Sequence, residues 1–292
     1  MKILRILLSS IALSILAACG GDSGVVIAQG TISGVATKGP VSTALVTAYG
    51  ISSGLKGAQI GTTTTDVNGR FTMNIGAYAG AVMLQVSGGN YTDEATGHSM
   101  SMASGDVMTA VMPAIVANAS TSGIQVTPVT TMAQARAQGM PGGMTDANIA
   151  AANTAVGQYF VVNDILHTVP MNPLVAGSGT VASSDARNYG ITLAAMSQYA
   201  HTITMANSSA LVKAYMRDAA DGFMDGREGV SQISMPMGGT GGTSPMALTA
   251  CTSSLATAVT AFMNDLTVNK SGLTAADMAA LIAKLNSSIG NI

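Results

Sequence analysis

Residues 30–91 alternate hydrophobic and polar positions in the way that β-strands do. In the segment 70–75, the side chains of Phe71, Met73 and Ile75 fall on one face, as expected of a strand with one buried side. The Asn68-Gly69 pair just before it predicts a hairpin, because these residues supply the positive φ angles of a tight turn. Short strands separated by turn residues predict a β-sandwich. The other strands predicted here are 31–36, 44–49, 62–65 and 81–86.

From Thr127 onward the hydrophobic period changes to that of helices. Thr127-Pro128 is a helix start, because threonine caps the first turn and proline is favoured at its first position. Ser244-Pro245 repeats this pattern, and Thr145 and Thr274 are further predicted caps. Six helices joined by mostly short loops predict a bundle. They are expected at about 128–138, 146–160, 184–205, 209–221, 245–266 and 275–285.

The segment between these two patterns is mixed. Residues 92–105 are polar and are expected to form a loop, whereas 107–116 and 123–126 are expected to add strands. The predicted fold class is therefore α+β multidomain. An N-terminal antiparallel β-sandwich would occupy residues 30–126, and an α-helical bundle would follow at residues 127–292.

The first 18 residues have the order of a secretory signal peptide. Lys2 and Arg5 precede an apolar run from Ile6 to Leu16, which is too short to span a bilayer as a permanent helix. The sequence Leu16-Ala17-Ala18-Cys19 that follows resembles the lipobox of bacterial lipoprotein signal peptides. A plain cleaved signal and an uncleaved helix are the alternatives.

The lipobox resemblance implies a location for the mature protein. Cys19 would be acylated and would become the first residue, with residues 19–29 as a short tether. Several acyl chains together anchor a protein firmly, whereas one chain alone holds it marginally. Because Gly20 follows the cysteine in place of aspartate, the resemblance favours the outer membrane. Its periplasmic or its external side stays open.

A second resemblance concerns the β region. The segment Thr65-Asp66-Val67-Asn68-Gly69-Arg70-Phe71 looks like the turn and core strand of carboxypeptidase regulatory-like, or transthyretin-like, β-sandwich domains. This resemblance extends over residues 30–91 and implies a fold without an activity. The run Val126–Thr131, which leads into the helices, resembles the helical half of other envelope lipoproteins and implies no activity either.

Composition narrows the range of partners. Charged residues make up 9% of the chain, against about 25% in an average soluble domain. Lys2 and Arg5 belong to the predicted signal, so ten basic and 14 acidic side chains remain, with a net charge of −4. The sequence has no basic stripe, and nucleic acid is therefore not expected as a partner.

Candidate catalytic groups are few. Gly50-Ile51-Ser52-Ser53-Gly54 matches the Gly-x-Ser-x-Gly pattern, but it lies between two β segments and not at the strand-to-helix turn of a hydrolase. His98, His167 and His201 lack a second ligand type at metal-binding spacing. A hydrolytic triad would need one of them to meet a serine and an aspartate across the fold. Cys251 is expected to be a small buried apolar residue.

The best candidate site is an acidic set formed by Asp218, Asp221, Asp225 and Glu228. Offsets of three, seven and ten positions would place all four carboxylates on one helical face. Such a cluster would suit Ca²⁺, which prefers oxygen ligands. Gly222 and other nearby residues suggest that the helix ends within this set. They favour the alternative, in which the carboxylates are solvated at a helix end.

These features together predict a lipid-anchored envelope protein with a structural or partner-binding role and no catalysis. Its contacts would be the membrane, through the N-terminal lipid, and an envelope or extracellular protein. No cofactor is expected apart from the Ca²⁺ considered above. The alternatives are an envelope hydrolase that uses His167 or His201 in the helical domain, and a small-ligand carrier built from the Met-rich helical bundle.

Overall fold

The computed structural model describes residues 29–239 and 241–292, which form an α+β fold. The predicted signal peptide, Cys19 and the tether up to residue 28 lie outside the described residues. Nine strands precede the first helix. They are β1 (Gly30–Ala36), β2 (Leu45–Ser52), β3 (Leu55–Thr64), β4 (Arg70–Gly76), β5 (Gly80–Ser87), β6 (Asn90–Thr92), β7 (Ser99–Ser101), β8 (Val107–Ile115) and β9 (Ser120–Val126).

The rest of the described chain is mainly helical, with seven helices and four short strands. The helices are α1 (Pro128–Gly139), α2 (Asp146–Tyr159), α3 (Ser178–Val181), α4 (Ser184–Thr202), α5 (Ser209–Ala219), α6 (Ser253–Asn264) and α7 (Ala279–Ser287). The strands are β10 (Arg227–Glu228), β11 (Ser231–Gln232), β12 (Ser234–Pro236) and β13 (Thr243–Pro245). No described helix is both long and apolar enough to cross a membrane.

Two sheets hold the first part of the chain together. One is antiparallel with strand order β3-β2-β5-β8. The other has the order β4-β1-β9, in which β1 is antiparallel to β4 and parallel to β9. Alternate side chains of both sheets meet in one hydrophobic core, which includes Ile32, Val46, Phe71, Leu84 and Met108. The alternation predicted for residues 70–75 is confirmed, because Phe71, Met73 and Ile75 are buried.

The turn at residues 66–69 differs from the predicted hairpin. It connects β3 to β4, and these strands belong to different sheets. The Asp66 side chain accepts the backbone N–H groups of Asn68 and Arg70, each at 2.8 Å. Gly69 has φ +74°, and a Cβ there would lie 2.5 Å from the Ala36 carbonyl oxygen. The Asn-Gly pair therefore predicts the turn correctly. It does not predict the strand pairing, because β3 pairs with β2 and β4 pairs with β1.

The first helix starts are confirmed and join the helices to the sheet. Thr127 caps α1 by accepting the Thr130 N–H at 3.1 Å, and Thr145 caps α2 through the Asn148 N–H at 3.3 Å. On α1, Thr131 accepts the backbone N–H of Thr109 in β8 at 2.8 Å. Thr127 therefore caps α1, and Thr131 joins the helix to β8.

Three local predictions are wrong in the described structure. Ser244-Pro245 begins no helix, because it pairs with Ser234–Met235 as part of β13, and the helix starts only at Ser253. The expected loop at 92–105 contains the β6–β7 hairpin. The last helix starts at Ala279, since the Thr274 backbone and hydroxyl bind Asp277 in a turn before it.

Candidate functional site

A buried cation lies where the β region meets the helices. Lys38, in the loop after β1, is 1% exposed. Its Nζ lies 3.6 Å from Glu94 Oε2 and donates a 2.7 Å hydrogen bond to Ser197 Oγ on α4. The Ser197 hydroxyl donates in turn to Glu94 Oε2 at 2.5 Å, and the Gly39 N–H donates to Glu94 Oε1 at 2.7 Å. Both carboxylate oxygens of Glu94 are therefore engaged.

A second buried carboxylate extends this network toward α5. Ser208 donates to Asp93 Oδ2, and its hydroxyl is also 3.0 Å from the Tyr91 hydroxyl. Tyr91 OH donates to Asn207 Oδ1 at 2.7 Å, and the Tyr91 ring centroid lies 5.0 Å from Lys38 Nζ. We call this set of side chains the seam network: Lys38, Tyr91, Asp93, Glu94, Ser197 and Ser208. One cation thus attracts two buried carboxylates, and hydroxyl and backbone N–H groups donate the remaining hydrogen bonds.

The protonation of Lys38 decides what this network can do chemically. Burial by itself lowers the pKa of Lys38, but the attraction of Glu94, with a contribution from Asp93, raises the pKa above its ordinary value. The ammonium group therefore stays charged at neutral pH and cannot take a proton from Ser197. A serine activated by lysine needs a neutral amine. The network is arranged to hold the β region and α4 together.

A cleft opens beside the seam network. It consists of two adjoining cavities of about 320 and 270 Å³, which share Gly39, Pro40 and Asn172. Gly39 allows β6 to approach closely, since its φ is +56° and a Cβ would lie 2.2 Å from the Thr92 carbonyl oxygen. The side chains that line the cleft include Val67, Asn68, Arg70, Asn90, Tyr91, Glu94, Val169, Asn172 and Leu174.

The histidines do not assemble a hydrolytic triad within the described residues. His201 lines a cavity of about 50 Å³ together with Asp93, Ser197 and Ser208, which is too small for a substrate. None of the hydrogen bonds in the described part of the chain joins a histidine to a serine hydroxyl. His167 Nδ1 lies 2.8 Å from Asp164 Oδ2 on the surface, and both side chains are 53% exposed.

The Gly-x-Ser-x-Gly match lies at the turn between β2 and β3. Ser52 ends β2 and pairs with Leu55 at the start of β3. A nucleophile elbow requires a helix after the turn, and here a strand follows. Gly54 has φ +74° and packs against the loop at Gly142, where a Cβ would lie 1.9 Å from the carbonyl oxygen. The glycine therefore serves close packing between β region and helices.

The four acidic residues do not share a helical face, because α5 ends at Ala219. Asp218, on α5, accepts the N–H groups of Asp225, Gly226 and Arg227 at 3.1, 2.7 and 3.1 Å. The following loop occupies the other three carboxylates. Asp221 accepts two backbone N–H groups, Asp225 accepts one, and Glu228 pairs with Arg217 at 2.6 Å. No three potential ligands among the described residues are grouped to hold a metal ion.

Asp218 is nevertheless chemically unusual. Burial raises its pKa to about 6, although the Cys251 thiol and the N–H groups of Gly226 and Arg227 act in the opposite direction. Its Oδ2 is buried and has no hydrogen-bond partner of ordinary geometry. Cys251 is fully buried as predicted, and burial raises the pKa of its thiol. Both groups are protected from solvent, so the thiol is unreactive and one carboxylate oxygen is buried without a hydrogen-bond partner.

Sequence reasoning misses the seam network. It singles out none of Lys38, Glu94 and Ser197. Lys38 and Ser197 are 159 positions apart, and no local pattern connects them. The only signal is a lysine beside Gly39-Pro40 in a chain with few charges, which does not distinguish a buried ammonium from an exposed one.

The comparisons with known proteins leave the family open. No family model matches the chain, and a search of curated proteins finds no match. Among solved structures, a match is found to a 9R-lipoxygenase from Cyanothece PCC8801 with 10% identity and a TM-score of 0.22. It covers 65% of this chain and spans only 24% of the lipoxygenase chain. A TM-score this low supports no inference about fold or activity.

Proposed function

We propose that this chain is a lipid-anchored protein of a bacterial cell envelope with a non-catalytic, partner-binding role. Acylated Cys19 would hold it at the outer membrane, as the lipobox resemblance implies. The cleft beside the seam network would be the surface that binds the partner. We expect neither a cofactor nor a nucleic acid to bind, and the proposed partner is an envelope or extracellular protein.

The proposal includes an interpretation of the architecture. The two sheets would be a transthyretin-like β-sandwich at residues 30–126, and residues 127–292 would be a helical bundle. Supporting this, both sheets contribute to one core, and the resembling segment Thr65–Phe71 supplies the crossing between them. The helices pack on the sandwich through α1 and β8, so the two parts would act as one rigid support.

One observation carries the functional proposal, namely the direction of β1. The strand begins at Gly30, next to the tether, and runs seven residues to Ala36, which is about 20 Å of extended chain. Gly39 and Pro40 follow a few residues later and border the cleft. The first described residues of the chain and the cleft therefore lie at opposite ends of one strand. A protein held at Cys19 would present the cleft away from the membrane surface.

The anchor can be tested with the Cys19→Ala variant. Membranes from cells that express the tagged full-length protein would retain the wild type after a high-salt wash and release the variant, because acyl chains hold by the hydrophobic effect, which salt does not weaken. Protease treatment of intact cells would then show whether the protein faces outward. Equal membrane retention of the two proteins would contradict the lipid anchor.

The direction of the cleft can be tested by site-specific photo-cross-linking. A photoreactive residue at Val169, on the cleft, is compared with one at Val116, which follows β8 near the Gly30 end. Both positions are well exposed, at 61% and 73%. Protein adducts at Val169 and none at Val116 would support the proposal. Adducts at Val116 alone would contradict it, as would turnover of a peptide, ester or glycan by the purified protein.

A further inference from the structure

Three asparagine side chains, Asn68, Asn90 and Asn172, supply amide N–H donors to the lining of the cleft. The side-chain Oδ1 of Asn172 accepts the Leu174 N–H at 3.0 Å, and the side-chain Oδ1 of Asn90 accepts the Ser101 hydroxyl at 2.6 Å. Their Nδ2 groups have no partner among the described residues. The same holds for the side-chain amide of Asn68. Amide N–H groups are thus left to meet acceptors supplied by a ligand.

The cleft also has a single uncompensated charge. Arg70 and Glu94 are the only charged side chains that line the two cavities. Glu94 is already engaged by Lys38, Ser197 and the Gly39 N–H. Arg70 is exposed, and its guanidinium has no salt-bridge partner within the described residues. The available charge of the cleft is therefore positive.

Aliphatic side chains complete the lining. Val67 is 80% exposed and Val169 is 61% exposed, and both border the cavities. Leu174 and Pro40 also line the cleft. Tyr91 also borders it, but this side chain is buried in the seam network. An aromatic stacking platform of the kind that binds sugars is therefore not offered here.

We propose that the cleft binds an extended peptide segment of a partner protein, in which an acidic side chain is flanked by aliphatic ones. The acidic group pairs with Arg70, the aliphatic groups pack on Val67, Val169 and Leu174, and the backbone carbonyls accept from the asparagine amides. Two adjoining cavities suit successive side chains of an extended chain better than one compact ligand. This inference rests on the proposed partner-binding function and names the chemistry of the partner.

The test is a selection from random peptides displayed on phage. Full-length protein in detergent is immobilised through a C-terminal tag, beside the variants Arg70→Gln and Lys284→Gln. Lys284 is an exposed cation on α7 and serves as the matched control. Peptides with an acidic residue between aliphatic residues should be enriched on the wild type and on Lys284→Gln. Arg70→Gln should not retain them.

A selected peptide is then synthesised and its affinity measured by fluorescence anisotropy. Arg70→Gln should weaken binding at least about tenfold. Replacing the acidic residue of the peptide by its amide should cost the same factor, with no further loss when both changes are combined. Asn172→Asp should also weaken binding while leaving an oxygen for the Leu174 N–H. Thermal unfolding checks that each variant is folded.

Two outcomes would overturn the inference. One is a selection without an acidic and aliphatic consensus, and the other is equal retention by wild type and Arg70→Gln. Neither outcome depends on the lipid, because the selection uses detergent-solubilised protein. If Cys19-dependent anchoring holds and the selection fails, the assigned peptide chemistry is wrong while the anchored location stands. If anchoring fails and the selection succeeds, the peptide site stands alone.

Discussion

The seam network and the loop after α5 bury carboxylates in two different ways. In the seam network, Glu94 is bound by the Lys38 ammonium and the Ser197 hydroxyl on α4, and Asp93 is bound by the hydroxyl of Ser208, just before α5. In the loop at residues 220–229, no cation reaches Asp218, and three backbone N–H groups bind one of its oxygens. The first arrangement connects distant parts of the chain, and the second shapes a local loop.

The difference has an energetic consequence. A buried ion pair is costly to break because removal of one partner leaves the other charge uncompensated. A carboxylate without a cation beside it can instead take up a proton. Asp218 is such a group, and its burial raises its pKa to about 6. We therefore expect the seam network to respond strongly to mutation and the Asp218 loop to respond to pH.

The largest effect is expected for Lys38→Met. This change leaves Glu94 buried without its cation, and we expect the free energy of unfolding at pH 7 to fall by about 3–5 kcal/mol. Urea denaturation followed by circular dichroism measures it. The double variant Lys38→Met with Glu94→Gln should recover much of the loss. An effect as small as that of the surface change Lys284→Met would show that the network contributes little.

Asp218→Ala should cause the next largest loss. Three backbone N–H groups of the loop lose their common acceptor, and we expect a destabilisation of about 2–3 kcal/mol. Hydrogen exchange should accelerate at Asp225, Gly226 and Arg227 more than in the sheets. Asp218→Asn, which keeps an acceptor oxygen, should protect these amides; equal exchange in both variants would assign the loop's order to something else.

The pH response of Asp218 separates the two regions most directly. Its folded-state pKa of about 6 lies above the ordinary value of 3.8, so its stabilising contribution is complete below pH 3.8 and is lost as pH rises through 6. Between pH 4 and pH 7 this amounts to about 2 kcal/mol. The free energy of unfolding of wild type relative to Asp218→Asn should show this trend; parallel pH profiles would contradict it.

Ser197→Ala tests the hydroxyl that joins Lys38 to Glu94. The ion pair stays in place at 3.6 Å, but one donor to the carboxylate and one acceptor for the ammonium are lost. We expect a destabilisation of about 1–2 kcal/mol, measured by the same urea titration. A loss as large as that of Lys38→Met would mean that the hydroxyl, and not the cation, stabilises Glu94.

Glu228→Gln should have the smallest effect. Its pair with Arg217 is 2.6 Å long, but both side chains are partly exposed, at 48% and 37%. Such surface pairs contribute less than about 1 kcal/mol because solvent and salt screen them. Thermal unfolding at low and high salt should show little difference from wild type. A clear destabilisation would indicate that the Asp218 loop depends on this ion pair.

Local signals in the sequence predict much of the fold. Phe71, Met73 and Ile75 are buried as their alternation indicates, and Thr127 and Thr145 cap helices as their positions indicate. The error at Ser244-Pro245 has a tertiary cause. This segment pairs with β12, and the geometry of a strand pair overrides a capping pattern that would suit a helix elsewhere.

The candidate sites also show which features local sequence predicts and which depend on tertiary packing. The spacing in the sequence identifies the acidic set around Asp218. Because helix α5 ends at Ala219, the later carboxylates lie in the following loop and not on the helix. The cleft could not be seen in the sequence at all. Its walls come from the turns after β1 and β3, from β6 and from the segment before α3, and only packing brings them together.

The amino-acid sequence by itself determined the buried face of residues 70–75, the caps at Thr127 and Thr145, the turn at Asn68-Gly69 and the residues that resemble a lipoprotein signal. These features depend on neighbours within a few positions, where side-chain period and backbone preference decide. Tertiary structure alone decided that Lys38 is buried against Glu94 and Ser197, and that Arg70 is left without a salt-bridge partner among the described residues beside a cleft. Burial and charge pairing depend on groups that are far apart in the chain, and only the packing of sheets against helices sets their distances.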